Sequence, residues 1–473
     1  MTEATGFCIR EIELYQRPVT LRLPFRFGVV TLTECPQAFV RVRIESPAGS
    51  SQWGAAAELM APKWFDKNLA LSNEDNFDQL RKVLDLARTA YLADGSPATA
   101  FGHFARHHDG HRKAAAAHGF NPLLASYGPA LLDRAVLDAQ CRTLGVSFYQ
   151  AMAANLAGIG SDRPEFAGLN IDRFLTQCSP AASIDARHTV GLLDAITANG
   201  LTQRVNDGLP ETLEEVIQAY GHRYFKLKVS GQAAADLARL EAIAAVLDQR
   251  AEPYFVSLGG NEQYQDTDGV AELVAGIRGC PALARLWDSI LFIEQPIART
   301  LALQTDLRQA RLGKPVIIDE SDGELDTFVE ARARGYAGVS SKTCKGIYKS
   351  VLNAARCAAW NAQDPAAHYF MSAEDLTTQA GLSLQQDLAL VNLLGIHHVE
   401  RNGHHYVNGM AALHASEQQG FLEAHPDVYE RSGGTVRLKI RAGRIDLASL
   451  ACNGFASAAL PRFAEMEALP ARS

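Results

Sequence analysis

The sequence predicts an α/β protein built around a closed parallel barrel of eight strands. Three observations predict it. Short apolar strands alternate with helical stretches from about residue 188 to residue 410, several strands end in a charged residue, and successive strand ends lie 23 to 35 residues apart. Each interval suits a β-α-β unit of roughly 30 residues. Barrels of this kind carry their chemistry at the carboxyl ends of the strands.

Eight segments have the short, apolar character of barrel strands. They read HTVGLL, YFKLKV, YFVSLGG, LFIEQP, PVIIDES, GVSSK, YFMSAED and GIHHVE. The stretch AAADLARLEAIAAVLDQR is the clearest helix between them. An open doubly wound sheet is the alternative architecture, but such a sheet usually carries a glycine-rich phosphate loop. The chain contains neither GxGxxG nor GxxxxGKS/T.

An α+β domain is expected before the barrel and a short segment after it. Residues 10 to about 57 alternate as antiparallel strands do, and residues 75–155 place apolar residues at helical spacing. The stretch 436–449, VRLKIRAGRIDLAS, is expected to form a hairpin that rejoins the N-terminal domain. The predicted domains are residues 1–160, 161–410 and 411–473.

The composition is that of an ordinary globular protein. The 473 residues are 47% hydrophobic and 21% charged with a net charge of −8, and no basic run reaches five residues, so a nucleic-acid partner is not expected. No apolar run approaches the ~20 residues of a membrane span. The N-terminal stretch MTEATGFCIREIELY does not resemble a secretory signal, and the eight cysteines form no CxxC pair. These features predict a cytoplasmic protein with reduced thiols.

Charged side chains at the strand ends form the candidate site. The KLK of the second strand supplies Lys226 and Lys228, which point to the same side because strand side chains alternate. The fourth, fifth and sixth strands end at Glu294, Asp319 and Lys342. Each charge alone is better explained by a salt bridge at the rim. Together, at one barrel mouth, two carboxylates and a divalent cation make a Lewis-acid site, and lysines on either side can move protons.

With these motifs the chain resembles the enolase superfamily, and within it the muconate lactonizing enzyme subgroup. KLK matches the subgroup's Lys-x-Lys on the second strand, SSK its sixth-strand lysine, and FIEQP and IIDES its fourth- and fifth-strand signatures. PALLDRAVLDAQCRTLG resembles the helix before its barrel. The resemblance covers nearly the whole chain. It implies a modified (β/α) TIM-type barrel with an α+β N-terminal capping domain completed by the C-terminal segment.

The resemblance also implies roles. Lys228 and Lys342 would be acid and base on opposite faces of the substrate, while Lys226 would bind the substrate carboxylate and lower the pKa of Lys228. Glu294 and Asp319 would hold Mg²⁺, which would stabilise the enediolate formed when the α proton leaves. The expected reaction is racemisation or epimerisation of a small carboxylic acid by a homo-oligomer. β-Elimination, by a dehydratase or cycloisomerase, is the alternative.

The third strand departs from the family pattern. An aspartate is expected there in a pattern like Asp-x-Asn, but the chain reads SLGGNEQY, with Gly259 in the aspartate's place and Asn261 in the asparagine's. Glycine offers no side-chain ligand, and Mg²⁺ requires oxygen ligands. Three interpretations stay open. The metal site is weakened, or Asn261, Glu262 or a water replaces the ligand, or the protein is a non-catalytic carboxylate-binding relative.

Two loops of the cap would close over the barrel mouth in this family, RLPFRFGVVT (22–31) and ELMAPKWFDK (58–67). Trp64 would wall an apolar pocket, and Arg26 and Lys63 would offer cations to the substrate. The loop aromatics serve equally well as the cap's own core.

The later strand ends offer further candidates. Glu374 ends the seventh strand and would bind a substrate amine or hydroxyl, with a rim salt bridge as its alternative role. HHVE ends the eighth strand, so Glu400 or Arg401 could reach the pocket. Two histidine clusters, at 103–111 and 397–405, lack HExxH and Cys/His ligand frames and are interpreted as surface or core residues.

Overall fold

The computed structural model describes residues 6–160 and 163–469. It confirms the predicted fold class, because an antiparallel sheet with helices precedes eight parallel strands that close into a barrel. The predicted boundary after residue 160 adjoins residues 161–162, which lie outside the described residues, as do the first five residues of the N-terminal stretch. The three domain ranges stay predictions.

The N-terminal domain packs an antiparallel sheet against helices. Side-chain capping defines the helix starts: Ser72 and Asp75 form a capping box, and Asn121 caps the long helix that ends at the left-handed Gly145 (φ 67°). The histidine-rich stretch 103–111 is helical. The elements are β1 Cys8–Phe27, β2 Val30–Glu45, β3 Ser51–Leu59, α1 Asn73–Ala93, α2 Ala100–Ala117, α3 Pro122–Leu144, α4 Phe148–Ala153 and α5 Ile171–Gln177.

All eight predicted barrel strands are present, and they pair in chain order. The barrel closes where the eighth strand pairs with the first, with His398 opposite Asp185 and Arg401 opposite His188. The strands are β4 Ser183–Val190, β5 Tyr224–Lys228, β6 Phe255–Gly259, β7 Ile290–Glu294, β8 Val316–Ile318, β9 Gly338–Ser341, β10 Phe370–Ala373 and β11 His398–Arg401.

Helices surround the barrel and follow it. A continuous buried apolar cluster extends from the N-terminal sheet into the barrel. Within the described ranges, no helix combines the length and apolarity needed to cross a bilayer. The helices are α6 Leu213–Tyr220, α7 Ala233–Leu247, α8 Thr267–Gly279, α9 Ala284–Ser289, α10 Arg299–Ala302, α11 Thr327–Ala333, α12 Ile347–Gln363, α13 Leu382–Leu393, α14 Gly403–Tyr406 and α15 Ala415–Ala424.

The C-terminal segment contains β12 Tyr429–Ser432, β13 Thr435–Leu438, β14 Arg444–Asp446 and β15 Glu467–Ala468. It rejoins the N-terminal sheet through β15, which pairs with β1. The hairpin expected at 436–449 forms only at its turn, where Arg441 and Arg444 form an antiparallel bridge; β13 itself pairs with β12, and β14 pairs with the start of β4 on the barrel rather than with the N-terminal domain. The reason is that β4 begins before its neighbours, which leaves backbone groups at 183–185 free to pair with β14.

Buried polar contacts fix the N-terminal domain over the barrel mouth. Glu58 on β3 pairs with Arg134 of α3 at 3.0 Å and accepts a hydrogen bond of 2.9 Å from Thr343, which follows the sixth barrel strand. Arg299 donates to the carbonyl oxygen of Trp64 at 2.7 Å. These contacts hold the loop that carries Trp64 above the strand ends.

Candidate active site

A cavity lies between the barrel mouth and the N-terminal domain. Lys228 and Lys342 line it from the second and sixth strands, and Trp64 lines it from the cap. Phe25 and Phe27 of β1 form part of its apolar wall. Ligand sites are usually concave and largely apolar with a few convergent polar groups, and this cavity has that character. It joins two amino groups and an apolar surface in one site.

Lys228 is the lysine whose surroundings favour loss of its proton. Its Nζ donates to Asn261 Oδ1 at 2.6 Å, and among the described residues it makes no salt bridge. Burial and the nearby ammonium of Lys226 lower the pKa of Lys228 to about 8. A substantial fraction of Lys228 is therefore a neutral amine under mildly alkaline conditions.

Lys342 has the opposite environment. Its Nζ lies 2.9 Å from Asp319 Oδ2 and 4.3 Å from the centre of the Trp64 ring, and it donates to the carbonyl oxygen of Asp375 at 3.2 Å. Burial favours the neutral amine, but the Asp319 carboxylate outweighs it and raises the pKa of Lys342 above its usual value. One cavity thus contains a lysine that readily loses its proton and a lysine that keeps it, which is the pattern of an acid–base pair.

Lys226 lies beneath the cavity in a cluster of carboxylates. Its Nζ is 2.5 Å from Glu294 Oε2, 2.6 Å from Glu374 Oε2 and 2.9 Å from Glu400 Oε2, and the residue is 1% exposed. Burial lowers the pKa of Lys226, but the three carboxylates outweigh this and raise it well above its usual value. We call these four residues the Lys226 cluster. Arg187 of β4 adds a second cation against Glu374.

The residues at the expected metal positions do not fit a resident divalent cation. Glu294 is already paired with Lys226 at 2.5 Å and Asp319 with Lys342 at 2.9 Å. A Cβ on Gly259 would lie 2.8 Å from Lys226 Cε, so the lysine fills the space that a side chain at 259 would need. An ion here would compete with the Lys226 and Lys342 ammonium groups for both carboxylates, and these ammonium groups would repel it.

Asn261 and Glu262, the two candidates for a replacement ligand, are also engaged. Asn261 accepts from Lys228 through Oδ1 and donates through Nδ2 to Glu320 Oε1 at 2.9 Å. Glu262 pairs with Arg299 at 2.8 Å. The structure therefore gives no support to Asn261 as a metal ligand, and it places that residue as the hydrogen-bond partner of Lys228.

Of the predicted substrate contacts, Trp64 lines the cavity and the other three do not. Arg26 lies on the exposed side of β1, because strand alternation turns its two neighbours inward. Lys63 donates to two backbone carbonyls of its own loop, at 3.0 and 2.5 Å. Glu374 belongs to the Lys226 cluster, where its charge is neutralised.

Several polar residues of the site were missed or only suggested by sequence. Glu400 and Asp375 line the cavity, and Glu400 accepts the Asp375 N–H at 2.8 Å. Lys345, buried at 3.4 Å from Asp319 Oδ1, was visible as a second lysine three residues after the first in SSKTCKG. Arg187 was visible as a charge inside an apolar strand. The sequence shows the charges of Lys345 and Arg187, but it does not show which residue each of them pairs with.

The barrel has known relatives. Residues 208–442 match the family model described as "Enolase C-terminal domain-like". A comparison with curated proteins found no match.

Similar solved structures include a dipeptide epimerase from Enterococcus faecalis V583 complexed with Mg and the dipeptide L-Leu-L-Tyr. Its TM-score is 0.60, at 12% identity over 95% of this chain and 99% of that chain. They also include muconate lactonizing enzyme from Pseudomonas fluorescens complexed with muconolactone (TM-score 0.59, 17% identity, 97% and 98%). A third is a mandelate racemase/muconate lactonizing protein from Herpetosiphon aurantiacus (0.58, 16%, 96% and 99%).

At these identities the structural likeness concerns the fold, and it extends over nearly the whole chain. The family model matches the barrel that carries the strand-end lysines and carboxylates. The resemblance inferred from the motifs is therefore confirmed for the barrel: residues 208–442 match the enolase family model, and the similar solved structures include mandelate racemase/muconate lactonizing enzyme proteins.

Proposed function

We propose that the protein removes and returns the proton α to the carboxylate of a small acid, and thereby racemises or epimerises it. One observation carries the proposal. Lys228 and Lys342 end two different strands yet line the same cavity, one beside a neutral amide and the other beside a carboxylate. Racemisation by proton transfer needs a base on one face of the substrate and an acid on the other. Two lysines with these surroundings supply both.

The proposed proton transfer uses two side chains of this protein, Lys228 and Lys342. The neutral amine of Lys228 takes the α proton, and the Lys342 ammonium delivers a proton to the opposite face. Negative charge grows on the substrate carboxylate meanwhile, and the Lys342 ammonium stabilises it. The Trp64 indole N–H, which has no hydrogen-bond partner among the described residues, is a further donor at this wall. After one turnover Lys228 holds a proton and Lys342 lacks one, so the enzyme is ready for the reverse direction.

The apolar wall supports a substrate class. Phe25, Phe27 and Trp64 face the cavity that the two lysines share. The preferred ligand is therefore a small carboxylic acid with an apolar substituent. Exclusion of water by these rings also strengthens the interaction between the lysines and the developing charge.

The dipeptide epimerase structure contains Mg, and a divalent ion in such a site would polarise a substrate carboxylate. Mg²⁺ stays a sequence-based prediction for this chain. Because the Lys226 cluster and the missing side chain at Gly259 disfavour the ion, the proposal uses no step that passes through it. The positive charge comes instead from lysines.

Two alternatives remain testable. β-Elimination begins with the same proton abstraction and differs only in the departure of a β-group. A non-catalytic carboxylate-binding protein is the second candidate, and it is favoured by one observation: Lys226, expected to bind the substrate, is enclosed by three carboxylates and does not line the cavity.

The test is hydrogen exchange at the substrate α carbon. The purified chain is incubated in D₂O with a library of small carboxylic acids, first with EDTA and then with Mg²⁺, and the α-proton signal and enantiomer ratio are followed by NMR and chiral chromatography. We expect exchange with racemisation of at least one acid bearing an apolar substituent, at equal rates in both conditions. Formation of an unsaturated product would identify elimination instead. Binding detected by calorimetry without exchange would identify a binding protein, and exchange only with Mg²⁺ would refute the lysine-only step.

A further inference from the structure

Three histidines meet on the outer side of the barrel, where the eighth strand pairs with the first. His188 lies on β4, His222 just before β5 and His404 in α14. Strand alternation turns His188 outward, while Arg187 and Thr189 point into the barrel. The ring centroids form a nearly equilateral triangle with sides of 5.4, 5.3 and 5.3 Å. One nitrogen of each ring lies within 4.8 Å of the other two.

His222 has the orientation of a metal ligand. Its Nδ1 donates to the carbonyl oxygen of Ala186 at 3.0 Å, so Nε2 carries the free lone pair. That atom is buried and has no hydrogen-bond partner among the described residues. Metal-bound histidines usually donate their second nitrogen to a carbonyl or carboxylate in this way. A buried polar atom without a partner costs free energy, and a bound ion would remove that cost.

The other two rings have the separation that a tetrahedral ion requires. His188 Nδ1 lies 3.3 Å from His404 Nε2. Two nitrogens bound at about 2.1 Å to one tetrahedral zinc ion lie about 3.4 Å apart. These two nitrogens are therefore placed to bind one ion.

A cavity gives access to this cluster. His404 lines a space of about 440 Å³ together with Tyr220, Arg401 and Arg437. The positive charge there is partly compensated, because Arg401 is paired with the buried carboxylate of Asp387. A water in this space would complete a site with three protein ligands.

A second group of ligand types, Asp94, His103 and His107, does not have these properties. The Asp94 carboxylate is already neutralised by Arg106. His107 Nε2 already lies 3.4 Å from that carboxylate. This second group serves as the comparison in the test below.

We propose that His188, His222 and His404 bind one transition-metal ion of the zinc type, and that the ion fastens the closure of the barrel. Three neutral imidazoles suit zinc, nickel or copper far better than Mg²⁺. The ligands come from three separate segments on either side of the β11–β4 pairing, so an ion bound to all three would restrain that seam. The site lies outside the lysine cavity and does not depend on the proposed reaction.

The test is metal binding by the full-length chain. The chelator-treated protein is titrated with Co²⁺ and followed by visible absorption, Zn²⁺ is added as competitor, and the melting temperature is measured with and without Zn²⁺. We expect one ion per chain, a spectrum typical of tetrahedral Co²⁺, and a rise of several degrees in melting temperature. His222→Gln and His404→Gln should each weaken binding at least 100-fold, whereas His107→Gln and the exposed His118→Gln should not change it.

Any one of three results would overturn the proposal. These are no Co²⁺ or Zn²⁺ binding at 100 μM, unchanged binding in both His222→Gln and His404→Gln, or loss of binding in His107→Gln. If a variant does not fold, X-ray absorption of the Zn²⁺-loaded wild type decides the question. Three imidazole ligands would support the site, and none or one would refute it.

Discussion

Replacement of Lys226 by methionine should destabilise the protein strongly at neutral pH. The variant keeps the length and apolar stem of the side chain but removes the ammonium group that lies within 2.9 Å of Glu294, Glu374 and Glu400. All four side chains are at most 1% exposed, so the carboxylates cannot regain water. Removal of one partner from a buried ion pair typically costs 3–5 kcal/mol. We expect a loss of about 4 kcal/mol in the free energy of unfolding at pH 7.5.

The loss should shrink at lower pH, since the carboxyl groups left without a cation take up protons more readily in the folded state than in the unfolded state. Urea denaturation at pH 7.5 and pH 5.5, followed by circular dichroism, measures both effects. The matched control is Lys113→Met on the exposed side of α2, which should change stability by less than about 0.5 kcal/mol. Adding Glu400→Gln to the variant should recover part of the loss. A loss below 1 kcal/mol at pH 7.5, or a loss that does not depend on pH, would refute the claim that Lys226 is the counter-ion of these three carboxylates.

Three further predictions follow from the site and its surroundings. Gly259→Asp places a carboxylate beside Lys226, and this variant should bind Mg²⁺ at millimolar concentration whereas the wild type should not. Calorimetry measures both affinities, and equal affinities would contradict the conclusion that the wild-type residues do not fit the ion. Burial raises the pKa of Asp133 from 3.8 to about 8. Between pH 3.8 and pH 8 the folded state therefore binds a proton that the unfolded state does not, and the free energy of unfolding falls as pH rises. Asp133→Asn should remove this slope and raise the free energy of unfolding at pH 7; urea titrations that show the same slope in both proteins would contradict it. Trp64→Phe keeps a ring beside Lys342 but removes the indole N–H, so kcat/KM should fall about tenfold with the melting temperature unchanged, and an unchanged kcat/KM would exclude the indole as a donor.

The fold was predictable because its signals are local and repeated. Each barrel strand is a short apolar run, several of them end in a charged residue, and the interval between ends repeats, so several weak signals agree. The hairpin expected at 436–449 is limited to its turn at Arg441 and Arg444, because a short strand pairs with whichever edge is free, and no residue of β14 encodes the free edge at the start of β4. The compartment and a homo-oligomeric assembly stay predictions, and light scattering tests the latter.

The site was predictable in its residues but not in its partners. Alternation along KLK placed Lys226 and Lys228 on one side, and the structure confirms that both point into the barrel. The two lysines differ in their charge partners, because carboxylates from distant strands reach the Lys226 ammonium and not the Lys228 amine. The sequence does not show which carboxylate reaches which lysine. Arg26 illustrates the same limit: its charge suggested a substrate contact, but the register of β1 turns it outward.

The two-lysine mechanism is tested most directly by enantiomer-specific exchange. Each enantiomer of an exchanging acid is incubated in D₂O with Lys228→Met and, separately, with Lys342→Met, and deuterium at the α carbon is measured by NMR. Each variant should lose racemisation but still exchange the α proton of one enantiomer, and the two variants should exchange opposite enantiomers. Racemisation by either variant, or exchange of the same enantiomer by both, would contradict the assignment of one lysine to each face of the substrate.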